Sequence, residues 1–144
     1  MMFNGPLAKA YPAVFHKEEN GGYFIDFPDL QGAYTGINDD DNAYGIAMAE
    51  EVLGMVLADM IEHNDPLPAP TPIKDIETED TSFVTLIRVD VEKYFKDNTM
   101  VRKSITIPQW AEDMGQRAGI NFSQVLTDAI PQVVINLSNL NKTK

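Results

Sequence analysis

Cysteine is absent from this 144-residue chain, which excludes disulfides and thiolate metal sites together. Histidine is scarce. His16 and His63 are the only two, far apart in sequence, and each reads more readily as a half-exposed surface residue than as a base or metal ligand. No glycine-rich phosphate loop and no nucleophile motif occurs. No apolar run approaches the roughly 20 residues needed to cross a bilayer. The N-terminus, Met1-Met2-Phe3-Asn4-Gly5-Pro6, lacks the basic-then-apolar order of a secretory signal. The expectation is a soluble, cytoplasmic protein without cofactor, metal or membrane contact.

Basic residues are also few, and their placement matters more than their number. Residues 1–101 hold 6 Lys and Arg against 19 Asp and Glu, whereas residues 102–144 hold 5 against 3. The first stretch is therefore at −13 and the second at +2, giving the whole-chain −11. A net anion repels phosphate, so the chain as a whole argues against nucleic-acid binding. The split permits it in the last third. The acidic remainder either serves a different partner or simply maintains solubility.

The pattern along the chain predicts an α+β protein. Residues 10–17 alternate, with Tyr11, Ala13 and Phe15 on one side. Glu18-Glu19-Asn20-Gly21-Gly22 reads as a hairpin turn, with Asn and Gly supplying positive φ. Residues 23–27 and 33–35 give two more short strands. Asn38-Asp39-Asp40-Asp41 offers an N-cap and dipole-favouring charge to a long helix over about residues 41–63. Ile46, Ala49, Leu53, Val56, Leu57 and Met60 form its expected buried stripe, widened by Met48, Val52 and Met55. Residues 65–82, with Pro66, Pro68, Pro70 and Pro72, read as an extended connection. Residues 83–91 make a strong strand able to return to the sheet edge, and residues 92–97 a short helical turn.

The last third has its own pattern. In Arg102-Lys103-Ser104-Ile105-Thr106-Ile107, the two isoleucines point one way and Arg102, Ser104 and Thr106 the other. So short a strand is not stable alone, and the same strand of a second copy is an available partner. Two helical stripes follow: Trp110, Ala111, Met114 and Ala118, then Leu126, Ala129, Ile130 and Val133. This order resembles the ribbon-helix-helix domain of the Arc, MetJ and CopG type, in which an intermolecular ribbon enters the major groove. The resemblance implies that Arg102, Ser104 and Thr106 meet base edges, that Lys103 reaches phosphate, and that Asn121 or Ser123 caps the second helix where its amides hold a phosphate. An ordinary solvent-facing strand edge has the same alternation; the two helical stripes favour the DNA reading. Pro131 departs from the pattern and is expected to end, kink or restart the second helix.

The N-terminal stretch carries a second resemblance. Tyr11-Pro12-Ala13-Val14-Phe15, then Gly22-Tyr23-Phe24-Ile25-Asp26-Phe27-Pro28-Asp29-Leu30-Gln31-Gly32, then Thr35-Gly36 and the helix from about Asp41, resemble the HicB antitoxin family over most of residues 10–68. The resemblance implies an incomplete ribonuclease-H-like toxin-binding domain over residues 1–97, and a ribbon-helix-helix dimerisation and DNA-binding domain over 98–144. It implies no enzyme activity. The partners it implies are a HicA-like toxin (a small basic messenger-RNA-cleaving ribonuclease), operator DNA bound as an autorepressor, and a second copy, with dimers free to pair further. Tyr23, Asp26 and Asp29 are the toxin contacts suggested by the family-like motif.

The sequence also offers two other readings. Asp26, Asp29 and Asp39 to Asp41 are candidates for a two-magnesium nuclease site, but a Pro-Asp turn and helix capping account for four of them. A plain ribbon-helix-helix repressor, whose N-terminal domain senses a ligand or multimerises, remains the alternative to the antitoxin. Neighbouring reading frames, not chemistry in this chain, separate the two.

Overall fold

The computed structural model describes residues 7–142, with side chains through residue 140. Four strands and three helices follow in the order β1 (Ala8–Lys17), β2 (Tyr23–Asp26), β3 (Tyr34–Ile37), α1 (Asn42–Glu62), β4 (Phe83–Asp90), α2 (Gln109–Ala118) and α3 (Phe122–Lys142). Short 3-10 turns occupy Ile73–Asp75 and Val91–Tyr94.

The strands form one antiparallel sheet in the order β3-β2-β1-β4. The β1–β2 hairpin pairs Phe15 with Ile25 and Lys17 with Tyr23. Gly21 and Gly22 turn it with φ of 96° and 83°, a backbone that residues with a Cβ rarely adopt. The return of β4 to the sheet edge is as expected: it runs against the whole first part of β1, from Ala8 opposite Asp90 to Phe15 opposite Phe83.

Alternation then divides the sheet into two faces. Tyr11, Ala13, Phe15, Ile25, Ile87 and Val89 are buried toward α1. His16, Phe24, Asp26, Tyr34 and Leu86 belong to the opposite face. Asp41 caps α1, its carboxylate accepting from the Tyr44 amide at 3.2 Å. The buried face of α1 is Gly45, Ala49, Leu53, Gly54, Leu57, Ala58 and Ile61. Ala49, Leu53 and Leu57 are buried and Val52, Val56 and Met60 pack against the core as expected, but the stripe is corrected at two positions: Ile46 and Met55 are exposed. The reason is close approach. A Cβ on Gly45 would stand 2.8 Å from the Phe15 ring, so the first turns of the helix meet the sheet through a glycine, and Ile46 beside it turns outward.

The proline-rich connection has no strand and no α-helix, yet it is fastened to the core. The Tyr11 hydroxyl donates to the Pro68 carbonyl at 2.6 Å, and Leu67 packs against the core. The C-terminal stretch is not separate from that core either. Ile135 on α3 belongs to the same buried cluster as the sheet and α1.

Proline 131 does not end or restart the second C-terminal helix: α3 runs through it to Lys142. A proline removes one backbone hydrogen bond at a cost of about 3 kcal/mol. The helix continues on both sides of it, and the burial of Ile135 and Ser138 holds the distal half in place.

Candidate functional site

Two regions carry chemistry. The first is the acidic sheet-and-helix unit. Its proposed partner contacts, Tyr23, Asp26 and Asp29, do not converge. Tyr23 faces α1 and packs edge-on against Phe15 at 5.7 Å and Phe83 at 5.5 Å, with the Lys17 ammonium over its ring. Asp26 lies on the opposite face, 2.9 Å from His16 Nε2. The other His16 nitrogen is 3.6 Å from Glu79, so the imidazole bridges the sheet and the acidic connection. Asp29 accepts from the Thr71 amide at 2.9 Å and from the Thr71 hydroxyl. It is a tether for the proline-rich segment as well as a surface charge.

The remaining aspartates are each engaged separately. Asp39 accepts from the Asp41 amide, and Asp40 holds Lys17 Nζ and the Gly22 amide. The Lys17 ammonium and the Gly22 amide draw the Asp40 carboxyl below the usual carboxylate range. Among the described residues no group of three or more His, Asp or Glu is placed to hold a metal ion. No described helix is long and apolar enough to cross a membrane.

Sequence reasoning missed the concavity beside α1. A groove of about 800 Å³ opens between α1, the β2–β3 turn and the 3-10 turn after β4. Leu30, Met55, Met60 and Tyr94 line it, with Asp59 and Glu62 at its edge. Tyr94 reaches this position because residue 54 is glycine: a Cβ there would be 2.3 Å from the ring. The phenol is pushed up in pKa by burial and then by the nearby Glu50 and Glu51. The available signal was the pair of glycines in a helix otherwise rich in large apolar residues.

The second region is the C-terminal stretch. Arg102, Lys103, Ser104 and Thr106 are all exposed in a segment without strand pairing in the single chain. Ile105 and Ile107 keep 49% and 38% of their surface accessible. Asn121 caps α3, accepting from the Gln124 amide at 3.1 Å. Ser123 is exposed one residue into that helix, and its carbonyl accepts from the Thr127 hydroxyl. Trp110, Met114, Leu126, Ile130 and Val133 are likewise exposed, Trp110 by 66%.

Residues 11–121 match the family model described as a HicB-like antitoxin of bacterial toxin-antitoxin systems. A curated relative, Antitoxin HicB 1 of Photorhabdus laumondii, is 33% identical over 63 residues. That match spans 44% of this chain and only 39% of the relative's length. A chain of a toxin-antitoxin complex from Streptococcus pneumoniae is 33% identical with a TM-score of 0.55, covering 87% of this chain and 98% of that one. The crystal structure of antitoxin HicB3 is 24% identical with a TM-score of 0.50, covering 88% of this chain and 98% of that one; it speaks to the fold alone.

Proposed function

Because this chain belongs to the HicB-like antitoxin family, we propose that it sequesters a HicA-like ribonuclease toxin and represses its own operon. The observation that carries the reading is the division of the molecule. An acidic sheet-and-helix unit at −13 precedes a C-terminal stretch at +2 in which Ile105, Ile107, Trp110, Met114, Leu126, Ile130 and Val133 are exposed.

Each half fits one task. An RNA-cleaving protein needs a positive surface for phosphate, and an acidic partner meets it quickly and covers it. Inhibition is steric, and this chain performs no catalysis. The sheet and α1 serve as an incomplete ribonuclease-H-like domain without its metal site. In the C-terminal stretch, residues 102–107 pair with those of a second copy as a ribbon-helix-helix, burying Ile105 and Ile107. Arg102, Ser104 and Thr106 then read base edges, Lys103 meets phosphate, and the Asn121-capped amides of α3, with Ser123, receive another phosphate. Both activities belong to the cytoplasm.

The test is co-expression of the full chain with the product of the adjacent reading frame, beside a promoter-binding assay on the DNA upstream of the pair. Growth rescue together with upstream-DNA binding is expected. DNA binding without rescue supports the plain repressor instead.

A further inference from the structure

We propose that the groove beside α1 is the docking site for the partner ribonuclease, and that it takes a basic segment presenting an apolar side chain between Met55 and Tyr94. This rests on the antitoxin reading above and adds the location and the chemistry of contact.

Charge supplies the first argument. Asp59 and Glu62 occupy the last turn of α1, where no basic residue balances them within that turn. The C-terminal end of a helix carries partial negative charge and favours cations, so acidic residues there oppose the dipole. Near Asp59 stand the His63 imidazole at 3.3 Å and the Lys96 ammonium at 3.9 Å, and Lys96, which itself lines the groove, is a single cation against this acidic edge. Glu50 and Glu51, near enough to act on the Tyr94 phenol, extend the acidic edge along the helix. A cationic partner relieves this concentration of negative charge.

Shape supplies the second. Met55 is 57% exposed on a helix whose opposite face is buried. Its unbranched thioether adapts to an incoming apolar group. Tyr94 forms a wall, held against α1 by the missing side chain of Gly54. Asp29, at the far edge, is fixed by Thr71, so the groove is built before a partner arrives. The open sheet face is a weaker rival. Leu86 and Phe24 are exposed there, but Asp26 on that face is already engaged by His16 at 2.9 Å.

The experiment uses the full chain and the purified product of the adjacent reading frame, with affinity measured by calorimetry. Met55→Glu, and separately Asp59→Lys with Glu62→Lys, should each weaken binding at least about tenfold, as loss of a central contact does. Leu86→Glu on the sheet face should bind within about twofold of wild type, as substitutions outside the central contacts do. All are surface changes, and an unchanged thermal midpoint checks folding. Groove variants that bind like wild type while Leu86→Glu loses affinity overturn the location and leave the antitoxin reading intact. Met55→Glu that dissociates an oligomer of this chain without affecting toxin affinity gives the groove to a second copy and also overturns it. A wild-type chain that does not bind defeats the antitoxin reading, and the groove proposal with it.

Discussion

Asp29 and Thr71, 42 residues apart, are joined twice: the Thr71 amide and hydroxyl each donate to one oxygen of the Asp29 carboxylate, the amide at 2.9 Å. This clasp fastens the proline-rich connection to the turn after β2. Hydrogen bonds to a charged acceptor contribute about 1.5–3 kcal/mol. Asp29→Ala should therefore lower stability by about that amount, read as a lower urea midpoint. A midpoint equal to wild type means the clasp is not formed in solution.

Gly54 and Tyr94 make a second test. Alanine is favoured over glycine inside a helix by about 1 kcal/mol, so Gly54→Ala would stabilise if nothing opposed it. Here the new Cβ meets the Tyr94 ring at 2.3 Å. Overpacking of this kind costs about 1–3 kcal/mol, and the net change should be destabilising. In a Tyr94→Ala background the same substitution should become neutral or favourable. A double-mutant cycle in denaturant measures the difference.

Alkaline pH should act through Tyr11. Burial first, and then the Asp29 charge, push its phenol up to about 12 from an ordinary 10. The folded chain keeps this proton where the unfolded chain has lost it. Stability from this group is fully present below pH 10 and is lost as pH rises toward 12. Tyr11→Phe should cost about 1 kcal/mol at neutral pH, since the bond to the Pro68 carbonyl is gone. It should also flatten the fall in stability between pH 10 and 12. An unchanged slope would mean another group governs that range.

Arg102 and Lys103 should part company in DNA binding. Arg102→Ala is expected to cost on the order of 1–3 kcal/mol on the operator and to relax its specificity. Lys103→Ala should weaken all duplexes alike and reduce the salt dependence by about one charge. Thr106→Ala should matter less than Arg102→Ala. Titrations at several salt concentrations resolve the three, and wild-type affinity in all of them would remove residues 102–106 from the reading face.

Much of the N-terminal architecture was legible because its signals are local. The alternation of Tyr11, Ala13 and Phe15, the turn at Glu18 to Gly22 and the cap at Asp41 each depend on near neighbours. Hydrophobic size misled at α1: Ile46 and Met55 look like core residues, whereas Gly45 and Gly54 mark where the chain packs most closely. The Asp29–Thr71 clasp, the groove edge at Asp59 and the burial of Ile135 join residues remote in sequence, and no periodicity announces them. Pro131 was read by its local effect, but burial of the residues beyond it carries α3 onward.

If this chain acts as an antitoxin, it silences a ribonuclease by binding it. The most direct measurement follows cleavage of an RNA by the purified product of the adjacent reading frame as the full chain is titrated in, with no DNA present. Cleavage should fall to background near stoichiometric addition, and Arg102→Ala should inhibit as well as wild type. Cleavage that continues unchanged in excess chain would contradict it.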